Sequence, residues 1–222
     1  MNATITPRVK ICCISSVQEA ALAIECGASA LGLVSHMPSG PGVISDQQIA
    51  EIAASVPPPI GTFLLTSRQS VPDIVAQHRL ARTNTIQICD HLTTGTHREL
   101  RDALPGISIV QVIHVFGPES VDEACKVAPY VDAILLDSGN QKLPIKELGG
   151  TGKTHDWTLS RTIREHIDVP LFLAGGLTPA NVVQAIRDVG PFGLDLCSGV
   201  RTNGQLDEDK LRCFFAAVRS AT

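Results

Sequence analysis

The chain has 222 residues, 44% hydrophobic and 18% charged, a composition that can bury a sizeable core and argues against disorder. A formal charge of −4 and a pI near 5.9 leave no basic footprint for nucleic acid, and 4% aromatic residues offer little surface for base stacking. The run Met1 to Arg8 lacks the apolar stretch of a signal peptide, no segment reaches the ~18 apolar residues of a spanning helix, and seven scattered cysteines without a CxxC pair read as free thiols of a cytoplasmic protein.

Short apolar runs alternate with helical patterns throughout. A strand is expected over Val9–Cys13, then a helix over Ser16–Cys26 that stops at Gly27. Ala28–Val34 is the next strand, and Ser45 caps a helix over Asp46–Val56. Ile60–Leu65 precedes a helix near Val71–Leu80, Thr85–Ile88 precedes Thr96–Leu104, and Ser108–Val115 precedes Ser120–Val127. Val131–Leu136 is followed by a long loop and a helix over Trp157–His166. Val169–Ala174 leads into Pro179–Val189, and Phe192–Leu196 into Asp207–Arg219. Eight such pairs imply a parallel sheet with right-handed crossovers. Their number in this length fits a single (β/α)₈ barrel domain over 1–222 better than an open sheet. The first strand is followed by Ile14-Ser15-Ser16, which lacks a dinucleotide-binding glycine pattern.

Barrel sites form at the carboxyl ends of the strands. Lys10, Cys12, His36, Cys89, His114, Asp137, Asp195 and Ser198 are the polar candidates there. Glycine turns follow the seventh and eighth strands, at Gly175-Gly176 and Ser198-Gly199, where backbone amides can approach a phosphate unobstructed. Gly149-Gly150-Thr151-Gly152-Lys153-Thr154 looks like a nucleotide loop, but that motif needs a glycine where Glu147 stands. We read the segment as a cover over the ligand.

Strand alternation puts Lys10 and Cys12 on one face, with Val9, Ile11 and Cys13 on the other. The same rule groups Ala133, Leu135 and Asp137. Cys12 and Asp137 are then expected in the barrel mouth on separate strands, placed as base and acid for aldose–ketose chemistry. Taken alone, each has a plainer reading, as a buried structural thiol and a loop-capping carboxylate. A metal cage of Cys12, Cys89, His114 and Asp137 has the right ligand types but no spacing motif.

The stretches Val9-Lys10-Ile11-Cys12, Leu135-Leu136-Asp137-Ser138, Gly149 through Trp157, Leu173 through Val182, and Gly193 through Val200 together resemble the phosphoribosylanthranilate isomerases of tryptophan biosynthesis. The resemblance implies a barrel with no metal or organic cofactor, no nucleic-acid or membrane partner, and a monomeric or homodimeric state. It implies an Amadori rearrangement of a phosphorylated aminoaldose. Asp137 would open the ribose ring as acid and Cys12 would take the C2 proton as base. Gly149, Gly150, Gly175, Gly176, Ser198 and Gly199 would hold the substrate and its phosphate, and Asp195 would orient the site. The chain departs from the family pattern at four places. Cys13 replaces a glycine and is expected on the outer face. The segment Met37 to Ser45 lacks the arginine that meets the anthranilate end. Cys89 replaces a histidine, and Arg201 an acidic residue. Arg201 is the expected substitute for the missing arginine, because the eighth and second strands both flank the first. The alternatives are an isomerase of another phosphorylated sugar and a catalytically silent sugar-phosphate binder.

Overall fold

The computed structural model describes residues 6–221; the residues 1–5 read above for a leader, and residue 222, lie outside the described residues. Eight parallel strands close into a barrel in chain order: β1 (Arg8–Ile11), β2 (Ala30–Val34), β3 (Gly61–Thr66), β4 (Thr85–Ile88), β5 (Ser108–His114), β6 (Ala133–Asp137), β7 (Leu171–Leu173) and β8 (Gly193–Leu196). The helices that follow them are α1 (Val17–Cys26), α2 (Asp46–Ser55), α3 (Val71–Ala81), α4 (His97–Ala103), α5 (Glu119–Val127), α6 (Trp157–His166), α7 (Val182–Val189) and α8 (Glu208–Ser220). The (β/α)₈ expectation holds.

Local chemistry sets the helix ends. Ser16 accepts from Glu19 N–H, and Gly27 ends α1 in the left-handed region at φ 114°. Ser45 with Gln48, and Thr96 with Glu99, form reciprocal capping boxes that start α2 and α4. The expected start of α7 at Pro179 moves to Val182. Asn181 Oδ1 accepts from Thr178 N–H and its Nδ2 donates to Gly176 O, which folds residues 178–181 into a turn.

Period-2 alternation divides the core into two layers. One face of the strands, including Ile11, Leu31, Leu33, Leu64, Ile86, Ile134, Leu136, Leu173 and Leu194, packs with the helices in a large outer core. The opposite residues, Ala30, Phe63, Leu65, Val110, Val112, Ala133, Leu135 and Phe172, fill the barrel interior. Phe63 and Phe172 meet edge to face at 6.0 Å and plug its lower half. Above them lies Lys10, fully buried, its ammonium 2.8 Å from Asp195 Oδ2 and 5.3 Å from the Phe63 ring centre. The two residues are register partners across β1 and β8. Gly32 on β2 makes room for them, since a Cβ there would lie 2.8 Å from Cys12 Sγ and 3.0 Å from Lys10 Nζ.

One face assignment is corrected. Cys13 does not continue the alternation, because β1 ends at Ile11. Cys12 N–H donates to Leu196 O on β8, whereas Ile14 N–H donates to Gly32 O on β2. Amides two apart in one strand point the same way, so the chain reverses between them. The reversal falls on Cys13, at φ +62°. That conformation suits glycine and costs a side-chain-bearing residue of order 1 kcal/mol or more. Its outcome is that Cys13 turns inward.

Candidate active site

The carboxyl ends of the strands surround a cavity, at the end where barrels of this kind hold their ligands. Cys12, Asp137, Gly149, Gly150, Gly175, Gly176, Asp195, Ser198 and Gly199 all line it. Nine of the ten residues to which the family resemblance gave a role therefore meet in one place. Cys13, Cys197, Gln87 and Leu148 also line it and were not singled out, and the wall toward β2, β3 and β4 includes Val34, Met37, Leu65 and Cys89. No lysine, arginine or histidine is among the lining residues, whereas two carboxylates are.

Arg201 is the tenth, and it lies elsewhere. Its guanidinium donates to Glu19 Oε1 at 2.8 Å, to Glu19 Oε2 at 3.1 Å, to Cys13 O at 2.6 Å and to Gly204 O at 2.8 Å. Glu19 also accepts from Ser15 N–H and Leu206 N–H. Although burial opposes it, Arg201 holds the Glu19 carboxyl below the usual range. The expected replacement for the missing arginine is thus spent on fastening the β1–α1 loop to the hairpin at 201–206. Because both partners are largely buried, Arg201→Ala is expected to cost about 3 kcal/mol by stranding Glu19. Denaturant unfolding checks the loss, and KM for the substrate should stay within about twofold; a KM rise of tenfold or more would return Arg201 to the substrate.

Asp137 closes β6 and is buried at 8% exposure. Burial pushes its carboxyl up to about 6, against the opposing pull of the Ser138 N–H, which donates to Oδ1 at 2.7 Å. The Asp195 charge adds to the rise and Lys10 opposes it. The Gly149 turn sits directly over Asp137, where a Cβ on Gly149 would lie 2.5 Å from Oδ2. Asp195 uses Oδ2 on Lys10, while its buried Oδ1 has no hydrogen-bond partner among the described residues.

The segment from Ser138 to Asp156 lies across the mouth and is tied down at several points. Ser138 Oγ and Thr151 Oγ1 are 2.7 Å apart, Ser39 Oγ donates to Lys146 O at 2.7 Å, and Lys146 Nζ reaches Asp90 Oδ2 at 2.6 Å. His155 is half-buried beside the Gly175 turn and bonds Ser160 Oγ at 2.6 Å. Burial lowers its pKa to about 4, so it braces the turn as a neutral ring. Trp157 packs against the outer core at the head of α6. His36 stays exposed, and His114 bonds Cys89 O at 3.1 Å. Among the described residues no three His, Cys, Asp or Glu side chains come together as a metal-holding group.

The two glycine turns lie side by side at the ends of β7 and β8. Gly175 and Gly176 are left-handed, at φ 89° and 60°. Gly199 sits in a short 3-10 turn, Ser198–Val200, against the Leu177 carbonyl, which a Cβ at Gly199 would strike. Gly199→Ala must therefore push one turn away from the other. If the pair cradles a phosphate, KM should rise about 10- to 100-fold, the loss of one or two bonds to a charged group, with kcat less affected. Steady-state kinetics test this; an unchanged KM would detach Gly199 from the ligand.

A closed parallel barrel with one glycine-turn rim, two buried carboxylates and a thiol in a shared mouth has the layout of a (β/α)₈-barrel enzyme for a small anionic metabolite. Residues 9–217 match the family model for N-(5'phosphoribosyl)anthranilate (PRA) isomerase. The chain is 36% identical over 220 residues to the N-(5'-phosphoribosyl)anthranilate isomerase of Haloferax volcanii, covering 96% of this chain and 94% of that one. It is 35% identical over 206 residues to N-(5'-phosphoribosyl)anthranilate isomerase 2 of Methanosarcina mazei, covering 92% and 90%. Among solved structures it resembles the phosphoribosyl anthranilate isomerase of Thermotoga maritima, with TM-score 0.81, 28% identity, and 96% and 99% coverage. Another similar structure is a phosphoribosyl anthranilate isomerase in complex with reduced 1-(o-carboxyphenylamino)-1-deoxyribulose 5-phosphate, at TM-score 0.78, 26% identity, and 96% and 99% coverage. The chain belongs to the N-(5'-phosphoribosyl)anthranilate isomerase family.

Proposed function

We propose that this chain converts N-(5-phosphoribosyl)anthranilate into 1-(o-carboxyphenylamino)-1-deoxyribulose 5-phosphate in tryptophan biosynthesis. It does so as an aldose–ketose isomerase without a cofactor, in a single barrel domain of the cytoplasm, as a monomer or homodimer. The observation that carries the reading is the raised, buried carboxyl of Asp137 sharing a cavity with the Cys12 thiol and the paired glycine turns. Family membership supports the substrate.

In this mechanism the amides of Gly175, Gly176, Ser198 and Gly199 hold the 5-phosphate, where the absence of Cβ atoms lets the oxygens come close. Asp137, protonated, gives its proton to the ribose ring oxygen. The C1–O bond breaks as the anthranilate nitrogen's lone pair forms the C=N bond of a protonated Schiff base. The Cys12 thiolate then removes the C2 proton, and the electron pair moves to give the enolamine, which tautomerises to the ketone. Lys10, held by Asp195, supplies positive charge beneath Cys12. The free Oδ1 of Asp195 is suited to accept a hydrogen bond from a ribose hydroxyl. The aryl ring packs on Val34, Met37 and Leu65. The lid segment with Gly149 and Gly150 excludes water above Asp137.

The test is direct assay of the purified chain on N-(5-phosphoribosyl)anthranilate, with complementation of a strain lacking this isomerase. Wild type should turn over and complement; Cys12→Ala and Asp137→Ala should do neither. Absence of turnover by a folded wild-type protein that still binds the substrate would favour the silent binder instead.

A further inference from the structure

The mouth holds two further thiols, Cys13 and Cys197, that the isomerisation does not use. Cys12 and Cys197 stand at matching positions on adjacent strands, because Ile11 is registered with Leu196 and Cys12 N–H donates to Leu196 O at 2.8 Å. The left-handed turn at Cys13 swings its side chain inward, into the cavity that Cys12 and Cys197 also line. Pro41 and Gly42 seal Cys13 from above: Sγ donates to Pro41 O at 3.7 Å, and a Cβ on Gly42 would strike the Cys13 Cβ. Cys197, by contrast, is only partly buried and faces the cavity. The inner member is shielded and the outer member is reachable. That is the geometry of a peroxide-reactive thiol with a resolving partner.

We propose that Cys197 and Cys13 form an oxidation site for hydrogen peroxide that closes into a disulfide across the ends of β1 and β8. The Cys197 thiolate attacks one peroxide oxygen; the O–O bond breaks, an S–O bond forms, and hydroxide leaves and is protonated to water. Cys13 sulfur then attacks the Cys197 sulfur, the S–O bond breaks, and the oxygen departs as water with the Cys13 proton. The two thiols lose two electrons and two protons in all, and one peroxide becomes two waters. The neighbouring Cys13 thiol, with the Arg201 charge, holds the Cys197 thiol below its ordinary range against the effect of burial, which favours the thiolate the first step needs. Cys12 and Cys197 beside it, together with burial, raise the Cys13 thiol, which stays protonated until the second step. The link ties Cys13, the chain neighbour of Cys12, to the residue that precedes the Ser198-Gly199 turn.

Treating the reduced full-length protein with equimolar hydrogen peroxide, then alkylating and mapping peptides by mass, tests the bond independently of any substrate. The expected product has lost two hydrogens, carries Cys13 linked to Cys197, and returns to the thiols with dithiothreitol. In Cys13→Ala the reaction should stop at a Cys197 sulfenic acid that dimedone traps, and in Cys197→Ser the link should not form. With N-(5-phosphoribosyl)anthranilate, which rests on the function proposed above, turnover should fall at least tenfold in the linked enzyme and recover on reduction. Oxidation that lands on Cys12, or Cys13 and Cys197 both remaining alkylatable after the exposed Cys213 has oxidised, would overturn the proposal. A fully linked enzyme with unchanged turnover would overturn the arrest of the site, leaving the bond itself established by mass.

Discussion

Asp137→Asn is expected to lower kcat/KM by about 10³-fold while making the folded protein more stable at neutral pH. The first effect is the usual worth of a positioned general acid. The second follows from linkage. Burial lifts the folded-state carboxyl from 3.8 to about 6, so between those values the folded chain binds more proton than the unfolded one. Stability therefore falls as pH rises from about 4 to about 6, and it stays reduced above that. A shift of this size corresponds to at most about 3 kcal/mol, or roughly 5–10 °C in a domain of this length. Asparagine removes the buried charge and keeps an acceptor for the Ser138 N–H. Melting curves of both proteins at pH 4 and pH 8 should diverge only at the higher pH. The wild-type kcat/KM should decline above about pH 6 as the acid form is lost, with only about a tenth of Asp137 protonated at pH 7. An asparagine variant within tenfold of wild type, or one no more stable at pH 8, would remove Asp137 as a strained acid.

Lys10→Met is expected to be the most damaging single change to the fold, costing about 3–5 kcal/mol. Lys10 is completely buried, and burial alone would drive its ammonium toward the neutral form, yet Asp195 with Cys12 outweighs that and raises its pKa instead. Removing the lysine leaves Asp195 charged in the barrel interior with neither oxygen paired. Adding Asp195→Asn in the same chain should recover most of the loss, because the interior then holds no uncompensated charge. Urea unfolding of both single variants and the double variant closes a mutant cycle. A coupling energy near zero would mean that the pair is not what secures β1 to β8. Activity should not return with stability, because the double variant lacks both the cation beneath Cys12 and the Asp195 oxygen facing the cavity.

Much of this was legible before any coordinates. The caps at Ser16, Ser45 and Thr96, the stop at Gly27, and the alternation that pairs Lys10 with Cys12 are set by interactions within a few residues. Such interactions recur wherever the same letters do. Eight repeats of strand and helix, with glycine turns after the last two, then leave few ways to assemble the chain. This is how Cys12, Asp137 and the glycine turns could be assigned to one mouth in advance.

The tertiary structure alone decided the fate of groups whose partners are distant in the chain. Arg201 was expected to face the substrate, but Glu19, 182 residues away, takes its guanidinium. Cys13 was assigned to the outer face by a rule that holds only while the strand continues. Hydrogen bonds to two different neighbours, at Leu196 and Gly32, reverse the backbone there. Likewise nothing near Asp195 in sequence marks it as the partner of Lys10; barrel closure creates that register. The physical reason is common to all three. Periodicity and capping report short-range geometry, whereas a charged side chain goes where its desolvation is best compensated and a strand end turns to the backbone partners its neighbours offer, and those partners exist only once the barrel has closed.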